Sequence, residues 1–491
     1  MSRPNERSPH LCSVLQGTAL SRNERVGSAG TPAAGVSRVI KAKLLLLTFL
    51  YVAALLWAYA TIVEPEYGYE GFTLRWPSAV QMAWLVTVAL LPVSILPSSS
   101  WRPSALVVWW LYLTVYIPAI IVPALSLSIP LEKLLQLQLT LLLCLGLLSW
   151  VSSRTRLLSV SQIVVSPALF WLTFLMIWIT CVGIIIALGR FSSLVSNVAS
   201  LFEGASEYTI RDKYADLCQQ APLLGYLTGP VANAIDPFLM AFGLKYRRRR
   251  CLIAGIIGQV IVFSLTGFKT ALLSIVFLAL LFVFVLRSRR SLGLVLTAGL
   301  MIAVLASTVI DRATNSVFLT HLITRRTIMT TGLVTGYYFE HYSQVGPVGM
   351  GYHFALLRDE RMLTPAKEIG FAYWGTDTNA NANLWAAGYA EAGLPGMFLY
   401  TIFTAFLIWI YDSIAAMRDP AVAVLLLAMP AATVSNTLPS TTLITHGALA
   451  AALILYLAPT STGGEKSHPS SIVGTPVRNL LRGPNDLATT H

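Results

Sequence analysis

The chain has 491 residues, of which 55% are hydrophobic and only 11% are charged, against roughly 25% charged residues in ordinary soluble domains. Its mean hydropathy is +0.68. Long apolar runs recur along the chain, and in lipid a helix satisfies its own backbone polar groups. The composition therefore excludes an ordinary soluble enzyme and predicts an all-α polytopic membrane protein.

The distribution of charged residues and cysteines argues against a nucleic-acid-binding protein, a disulfide framework and a cysteine metal site. The net charge of +12 would suggest a nucleic-acid partner in a soluble protein. Here the lysines and arginines cluster at the ends of apolar runs, which is the positive-inside pattern of membrane proteins. We therefore expect no nucleic acid. The five cysteines are scattered, without the spacing of a disulfide framework or a metal site.

Polar segments flank the apolar part of the chain. Residues 1–38 are rich in Ser, Gly, Arg and Pro and lack the apolar core and cleavage site of a signal peptide. They predict a disordered cytoplasmic tail. Residues 459–491 have a similar composition and predict a second cytoplasmic tail. The intervening residues 39–458 form the predicted membrane domain.

Twelve apolar segments are candidate membrane spans, at about 20 residues for a full crossing. They are residues 44–63, 79–97, 104–125, 134–152, 164–188, 222–244, 251–267, 270–286, 292–310, 396–411, 421–436 and 442–458. The last two are short, so a count of ten or eleven is the alternative. Basic clusters before the first span and after the fourth, sixth and eighth spans fall on one face, which predicts that both termini are cytoplasmic.

The opposite face then carries two long segments, 190–221 and 311–395. The second is too long for a simple connection, and its many aromatic residues argue against disorder. We expect it to be a large extracytoplasmic loop of helices packed over the bundle. The alternative is a helical cap without chemistry.

Outer segments from separate parts of the chain bring cations near the predicted membrane surface. They are Arg211 in EYTIRDKYADL, Lys269 in LTGFKTALL, and the pair Arg325 and Arg326 in THLITRRTIMTTG. Positive charges on this side need a reason, and a bound anion supplies one, because guanidinium groups bind phosphate in bidentate fashion and lysine acts as a point charge. For each cation alone, a solvated or snorkelling charge is the alternative.

The arrangement of these motifs resembles the Wzy-type oligosaccharide repeat-unit polymerases of bacterial O-antigen and capsule assembly. The shared features are a short outer turn with a cation, an outer loop with arginines, and an Asn-rich helix that ends in spaced glycines. In this sequence they are the turn 266–269, Arg325 and Arg326, the stretch 383–389, Gly393 and Gly396. Lys269 stands where the family turn usually has arginine.

The resemblance implies a metal-independent glycosyltransferase with a C-type membrane fold in the bacterial inner membrane. Such an enzyme moves a growing glycan from undecaprenyl pyrophosphate onto the next lipid-linked repeat unit and needs no cofactor. Both lipid-linked glycans, membrane lipid, a flippase and a chain-length regulator are the implied partners. The four cations would be catalytic, because they would stabilise the charge that develops on the leaving pyrophosphate.

Other polar residues near the cations are candidates for substrate binding or for taking the acceptor's proton. They are Glu340, His341, Asp377, Asn379, Asn383 and Tyr389, with Glu391 a further proton acceptor. Asn379 and Asn383 are one helical turn apart, so both amides could face a sugar. Helix capping, salt bridges or backbone hydrogen bonds are the alternative roles.

Three other functions remain open. An O-antigen ligase shares the fold, but its class has a histidine beside the asparagine of the last outer motif, and TNANANLW has none; the nearest is His353. A secondary transporter or lipid flippase would place ionisable residues inside the membrane, where Asp236 and His446 are the candidates. A non-catalytic scaffold for glycan export is the third.

Overall fold

The computed structural model describes residues 34–98, 102–155, 157–161, 163–189, 207–288, 290–350 and 363–459. The described part of the chain is helical throughout, without a strand. This confirms the all-α class. Most of the two predicted tails, much of the segment 190–221, and His353 lie outside the described residues. The first helix begins at Ala34, within the predicted tail 1–38, and the domain boundaries stay predictions.

The α-helices of the described residues, in chain order, are Ala34–Ala58, Glu64–Tyr67, Ala79–Leu90, Pro103–Leu111, Ile117–Ser126, Leu131–Arg154, Pro167–Gly189, Glu207–Gln220, Pro222–Pro230, Asp236–Tyr246, Arg249–Thr266, Lys269–Leu281, Leu292–Thr314, Thr330–Val345, Pro365–Trp374, Leu384–Ala415, Pro420–Thr433, Pro439–Ile444 and Ala448–Leu457. Wider π-helical turns continue several of them, at Tyr59–Val63, Tyr112–Tyr116, Val231–Ile235, Phe282–Arg287 and Thr320–Met329. Short 3₁₀ segments occur at Gly68–Glu70 and Leu91–Ser94.

Eight helices in the described ranges are long and apolar enough to cross a membrane. They are Val39–Glu70, Pro103–Ser126, Leu131–Arg154, Pro167–Gly189, Arg249–Thr266, Lys269–Arg287, Leu292–Thr314 and Leu384–Ala415. Three other predicted spans are shorter apolar helices, Ala79–Ser94, Pro420–Thr433 and Ala448–Leu457. The predicted span 222–244 is also helical but is not among the eight. A membrane protein with several spans is supported, and the count of twelve stays a prediction.

The long helices alternate in direction, so the bundle has two ends. At the end called the basic end, Lys245 forms an ion pair with Asp419 at 3.1 Å, and Lys41 donates to the carbonyl of Ser94 at 3.1 Å. The opposite end, called the turn end, contains the turn at Gly267–Phe268. That all the basic clusters share this end, and that it faces the cytoplasm, stay predictions of the positive-inside rule.

The stretch 311–395 contains helices, as expected from the sequence, but they do not all lie over the bundle. Helix Leu292–Thr314 extends into it, and Thr320–Met329 continues into Thr330–Val345 as one helix, called the oblique helix. This helix packs inside the bundle, where the Thr331 hydroxyl donates to the Thr114 carbonyl at 2.5 Å. Small residues in TTGLVTG permit this approach, because a Cβ on Gly332 would lie 2.4 Å from a backbone oxygen.

The tenth predicted span begins earlier than expected. One helix covers Leu384–Ala415, with a kink at Gly393, and is called the kinked helix. The kink removes the usual partners of two backbone carbonyls. The amide of Val348 donates to the Ala390 carbonyl at 2.8 Å, and the Gly349 amide donates to the next carbonyl at 3.0 Å. Bonds from distant chain therefore stabilise the break, which the apolar pattern alone does not reveal.

The first prediction tests which end faces the cytoplasm. In a cysteine-free background, Ser288→Cys and Arg312→Cys place thiols at exposed positions near the basic end and the turn end. We expect a membrane-impermeant maleimide to label position 312 in intact cells and position 288 only after permeabilisation. Labelling of position 288 in intact cells would contradict the orientation and every site assignment built on it.

Candidate functional site

The hairpin turn predicted at residues 266–269 is confirmed. Helix Arg249–Thr266 ends at Gly267, whose φ of 65° is left-handed and favours glycine. The Thr266 hydroxyl accepts from the Phe268 amide at 3.1 Å. Lys269 then begins the next helix. The turn therefore places an aromatic ring and an ammonium group side by side at the turn end.

Arg211 and Lys269 meet around this turn. The Arg211 guanidinium carbon lies 5.5 Å from the centroid of the Phe268 ring, and the Tyr214 ring approaches the same ring edge-on at 5.9 Å. The Lys269 ammonium lies 5.0 Å from the centroid of the Phe318 ring, just before the oblique helix. Two cations from distant sequence segments thus share one aromatic neighbourhood, where cation–π attraction favours their charge.

Arg325 lies farther along the oblique helix in a compact polar cluster. It forms an ion pair with Glu70 and approaches His321 Nδ1 at 2.9 Å through Nη1. Its guanidinium lies 4.2 Å from the Tyr67 ring centroid, and the Tyr67 hydroxyl is 3.2 Å from His321 Nδ1. The four residues Tyr67, Glu70, His321 and Arg325 are called the arginine cluster.

Burial makes the arginine cluster sensitive to charge. The side chain of Arg325 is 12% exposed and that of Glu70 is 25% exposed. Burial lowers the pKa of Arg325, but its ordinary pKa is so high that the guanidinium keeps its charge. The Arg325 Nε finds no hydrogen-bond acceptor among the described residues. Removal of either partner would leave a poorly solvated charge, which is strongly unfavourable.

Two aromatic side chains form hydrogen bonds with the backbone carbonyl of Glu70. The Tyr337 hydroxyl and the Trp374 indole donate to the Glu70 carbonyl at 2.9 and 3.0 Å. Gly71 follows with a φ of 102°, and a Cβ there would lie 1.6 Å from the Tyr337 hydroxyl oxygen. Glycine is therefore required for tyrosine to reach this carbonyl. These bonds position the carboxylate that faces Arg325.

Arg211, Lys269 and Arg325 form a row along the turn end, called the cationic row. Arg325 follows Phe318 by seven residues, or roughly 10 Å of helix axis, and Phe318 contacts Lys269. Arg326, the fourth predicted cation, is exposed at the surface of the oblique helix. The four predicted cations therefore lie at one end of the bundle, with Arg325 engaged by a carboxylate rather than open to solvent.

His341 and Glu340 occupy the far end of the oblique helix. His341 Nε2 lies 2.9 Å from a Glu368 oxygen, and Glu340 accepts from the Tyr373 hydroxyl at 2.8 Å. More than four turns of helix separate them from Arg325, roughly 20 Å. They cannot act on an atom in contact with Arg325. His341 therefore has a carboxylate neighbour, Glu368, which the sequence did not indicate.

The expectation that Asn379 and Asn383 share a helical face is wrong. The kinked helix begins at Leu384, and Asn379 lies in the exposed extended segment before it. The Asn383 side-chain oxygen caps the helix by accepting from the Trp385 and Ala386 amides at 3.0 and 3.2 Å. Asn383 is buried, so the capping alternative describes it.

The remaining predicted residues also have structural neighbours. The exposed Asp377 forms an ion pair with Lys367 at 2.9 Å. Tyr389 is buried, and its ring lies 4.5 Å from the Phe339 ring. Glu391 is buried and accepts from a tyrosine hydroxyl at 2.8 Å. A substrate role for Asp377 and Tyr389 stays a prediction.

Sequence reasoning missed Glu70 and His321, which border Arg325. Glu70 lies in the predicted outer segment EPEYGYEGFTLRWPS, where it was one acidic residue among several. His321 is one helical turn before Arg325, and that spacing was the available signal. The pairing itself joins positions 255 residues apart. No local pattern in the sequence specifies such a pair.

No protein-family model, curated protein or solved structure matches this chain. In the part of the chain that the structure describes, no three His, Cys, Asp or Glu side chains are grouped as metal ligands. The functional argument therefore depends on the geometry of the turn end itself.

The second prediction concerns the helix cap. Asn383→Ala removes the hydrogen bonds that the side-chain oxygen accepts from two backbone amides. It also removes the hydrogen bond that the side-chain nitrogen donates to the Thr335 hydroxyl at 2.8 Å. We expect a loss of about 2 kcal/mol in stability, seen as a lower Tm in detergent. Asn383→Asp keeps the capping oxygen and should recover about half of it.

Asn381→Ala is the matched control, because Asn381 is exposed and two positions away. Equal Tm values for Asn383→Ala and Asn381→Ala would show that the cap contributes nothing.

Proposed function

We propose that this chain is a Wzy-type membrane glycosyltransferase that polymerises undecaprenyl-pyrophosphate-linked repeat units. The reaction would take place at the turn end, on the outer face of a bacterial cytoplasmic membrane, with both termini cytoplasmic. The donor and acceptor glycans are its proposed ligands, and a flippase and a chain-length regulator its proposed partners. The proposed reaction needs no cofactor.

The observation that carries this proposal is the cationic row. Arg211, Lys269 and Arg325 come from three distant segments, yet aromatic contacts and the oblique helix place them along one end of the bundle. A row of cations of this kind suits a ligand with several negative charges. A pyrophosphate at a lipid–water boundary has that charge, and arginine and lysine are its usual protein donors.

The row also suits the chemistry of glycosyl transfer. The acceptor hydroxyl oxygen attacks the anomeric carbon of the donor, a new glycosidic bond forms, and the bond to pyrophosphate breaks. The pyrophosphate leaves with the electron pair, so preorganised cations stabilise the transition state more than the ground state. The hydroxyl proton needs a base, and Glu70 and His321 lie beside Arg325 while His341 does not.

A deletion strain tests the polymerase proposal against the ligase. Loss of long polymer with a single repeat unit retained supports polymerisation. Accumulation of long polymer still attached to its lipid carrier would instead support a ligase. Unchanged glycan would contradict both activities.

The third prediction concerns the cations. We expect Arg325→Ala, Arg326→Ala and Lys269→Ala to reduce chain extension about a hundredfold, the effect of losing one preorganised transition-state donor. Lys269→Arg should retain activity because it keeps the charge. Arg312→Ala is the matched control, since Arg312 is an exposed cation at the same end. The measurement is polymer length against membrane abundance.

Arg325→Ala also leaves Glu70 without its ion pair, so folding needs its own control. The double variant Glu70→Gln with Arg325→Gln keeps hydrogen-bonding groups and removes both charges. Normal abundance with lost polymer indicates a requirement for charge. Wild-type chain extension in all three alanine variants would remove the role proposed for the row.

One observation favours a secondary transporter as the second candidate. Asp236 is fully buried, accepts from the Trp178 indole at 2.8 Å, and its Oδ2 has no partner among the described residues. Buried carboxyl groups within a bundle often mark proton or ion paths.

The fourth prediction separates this candidate from the polymerase. Asp236→Asn keeps the shape and removes the titratable group, so a polymerase should extend chains at its normal rate. Loss of extension, with normal membrane abundance, would favour coupling of this residue to transport.

A further inference from the structure

A cavity of about 370 Å³ lies at the turn end beside the cationic row. Its walls come from the helix that begins at Pro222, from the turn residue Phe268, and from the chain between Met429 and His446. Its volume is within the range of small-molecule sites in proteins. None of the residues predicted for the polymerase site lines it, whereas His446, a candidate for the transporter alternative, does.

The lining of this cavity is uncharged, and it combines apolar surface with several polar side chains. It contains no Asp, Glu, Lys or Arg. The carboxamides of Asn233 and Asn436 make no hydrogen bond with any residue that the structure describes. Each offers an acceptor oxygen and two N–H donors. Such groups are costly to leave without a partner when water is displaced, so they suit a ligand that both donates and accepts.

His446 adds an acceptor of defined direction. The Thr445 hydroxyl donates its one proton to the Thr441 carbonyl at 2.9 Å, so His446 Nδ1 is the donor to Thr445 at 2.9 Å and Nε2 is the acceptor. His446 lies between the short helices, outside the eight candidate spans. Burial lowers the pKa of its imidazole, which favours the neutral form.

Aromatic surface forms one side of the cavity and connects it to the cations. Phe268 and Tyr214 both line it, and their rings are in edge contact at 5.9 Å. The same Phe268 ring has Arg211 at 5.5 Å, and Lys269 is the next residue. A ligand could therefore place a neutral part in the cavity and an anionic part against the row.

We infer that this cavity binds a neutral sugar ring whose attached phosphate lies against Arg211 and Lys269. A sugar has hydroxyl groups that donate and accept toward the asparagines and His446, and an apolar C–H face for the aromatic side. A fatty acyl or prenyl chain would leave the carboxamides unpaired, and a charged headgroup would meet no counter-charge inside. The identity of the lipid that carries the sugar rests on the proposed function, whereas the sugar and phosphate sites are argued from the cavity and the cations.

Binding to two lipids tests the inference. The full chain in nanodiscs is titrated with undecaprenyl pyrophosphate that carries the host's repeat unit and with undecaprenyl pyrophosphate alone. We expect Asn233→Leu and Asn436→Leu each to weaken binding of the glycan-bearing lipid about tenfold, as for one lost hydrogen bond of good geometry. Binding of the bare lipid should not change.

Two matched variants make the outcomes distinct. Lys269→Ala should weaken both lipids, and Asn381→Leu, an exposed asparagine outside the cavity, should weaken neither. If the cavity variants bind both lipids as the wild type does, the sugar site is wrong and the proposed function stands. If the wild type binds neither lipid, the proposed function itself is wrong. Asn436 is exposed, so its variant keeps the test valid if Asn233→Leu misfolds.

Discussion

The ion pair between Arg325 and Glu70 is the contact on which the turn end depends. It joins the end of the first span to the oblique helix across 255 residues of sequence, and its arginine is mostly withdrawn from water. Two charges in such a place must be paired, because either one alone would be poorly solvated. Tyr337 and Trp374 hold the Glu70 carbonyl, so the pair has little freedom to shift. The oblique helix therefore has a defined position, which brings Phe318 against Lys269.

Two kinds of polar surface meet at this end of the bundle. The cationic row offers positive charge with aromatic contacts, whereas the cavity beside it offers amides, hydroxyls and a neutral imidazole. Phe268 belongs to both, since it lies under Arg211 and lines the cavity. In a lipid-linked sugar phosphate, an anionic phosphate that suits the cationic row is likewise next to a neutral polar sugar that suits the cavity. The physical case for glycan chemistry is therefore the adjacency of the two surfaces.

Much of the helical framework could be predicted because it depends on neighbours in sequence. The hairpin around Gly267 has a left-handed glycine between two apolar runs, and the structure has that turn. The stretch after Thr314 could not be predicted in the same way. Its composition led us to expect helices packed over the bundle, yet its small residues allow the oblique helix to pack inside the bundle, close to the backbone of other helices. Hydropathy measures transfer to lipid and does not detect a helix that is buried among other helices.

In the candidate site too, local features could be predicted from the sequence, whereas contacts between distant residues could not. The sequence by itself determined the helical class, the clustering of basic residues at one end, and Arg211, Lys269 and Arg325 as cations at the other, because apolar period and charge position are local properties. Only the tertiary structure decided that Arg325 pairs with Glu70 and that Asn383 caps a helix instead of facing a ligand. It also decided that uncharged residues from three parts of the chain enclose a cavity. Those outcomes depend on which distant side chains lose their water together, and that is set by the packing of the whole bundle.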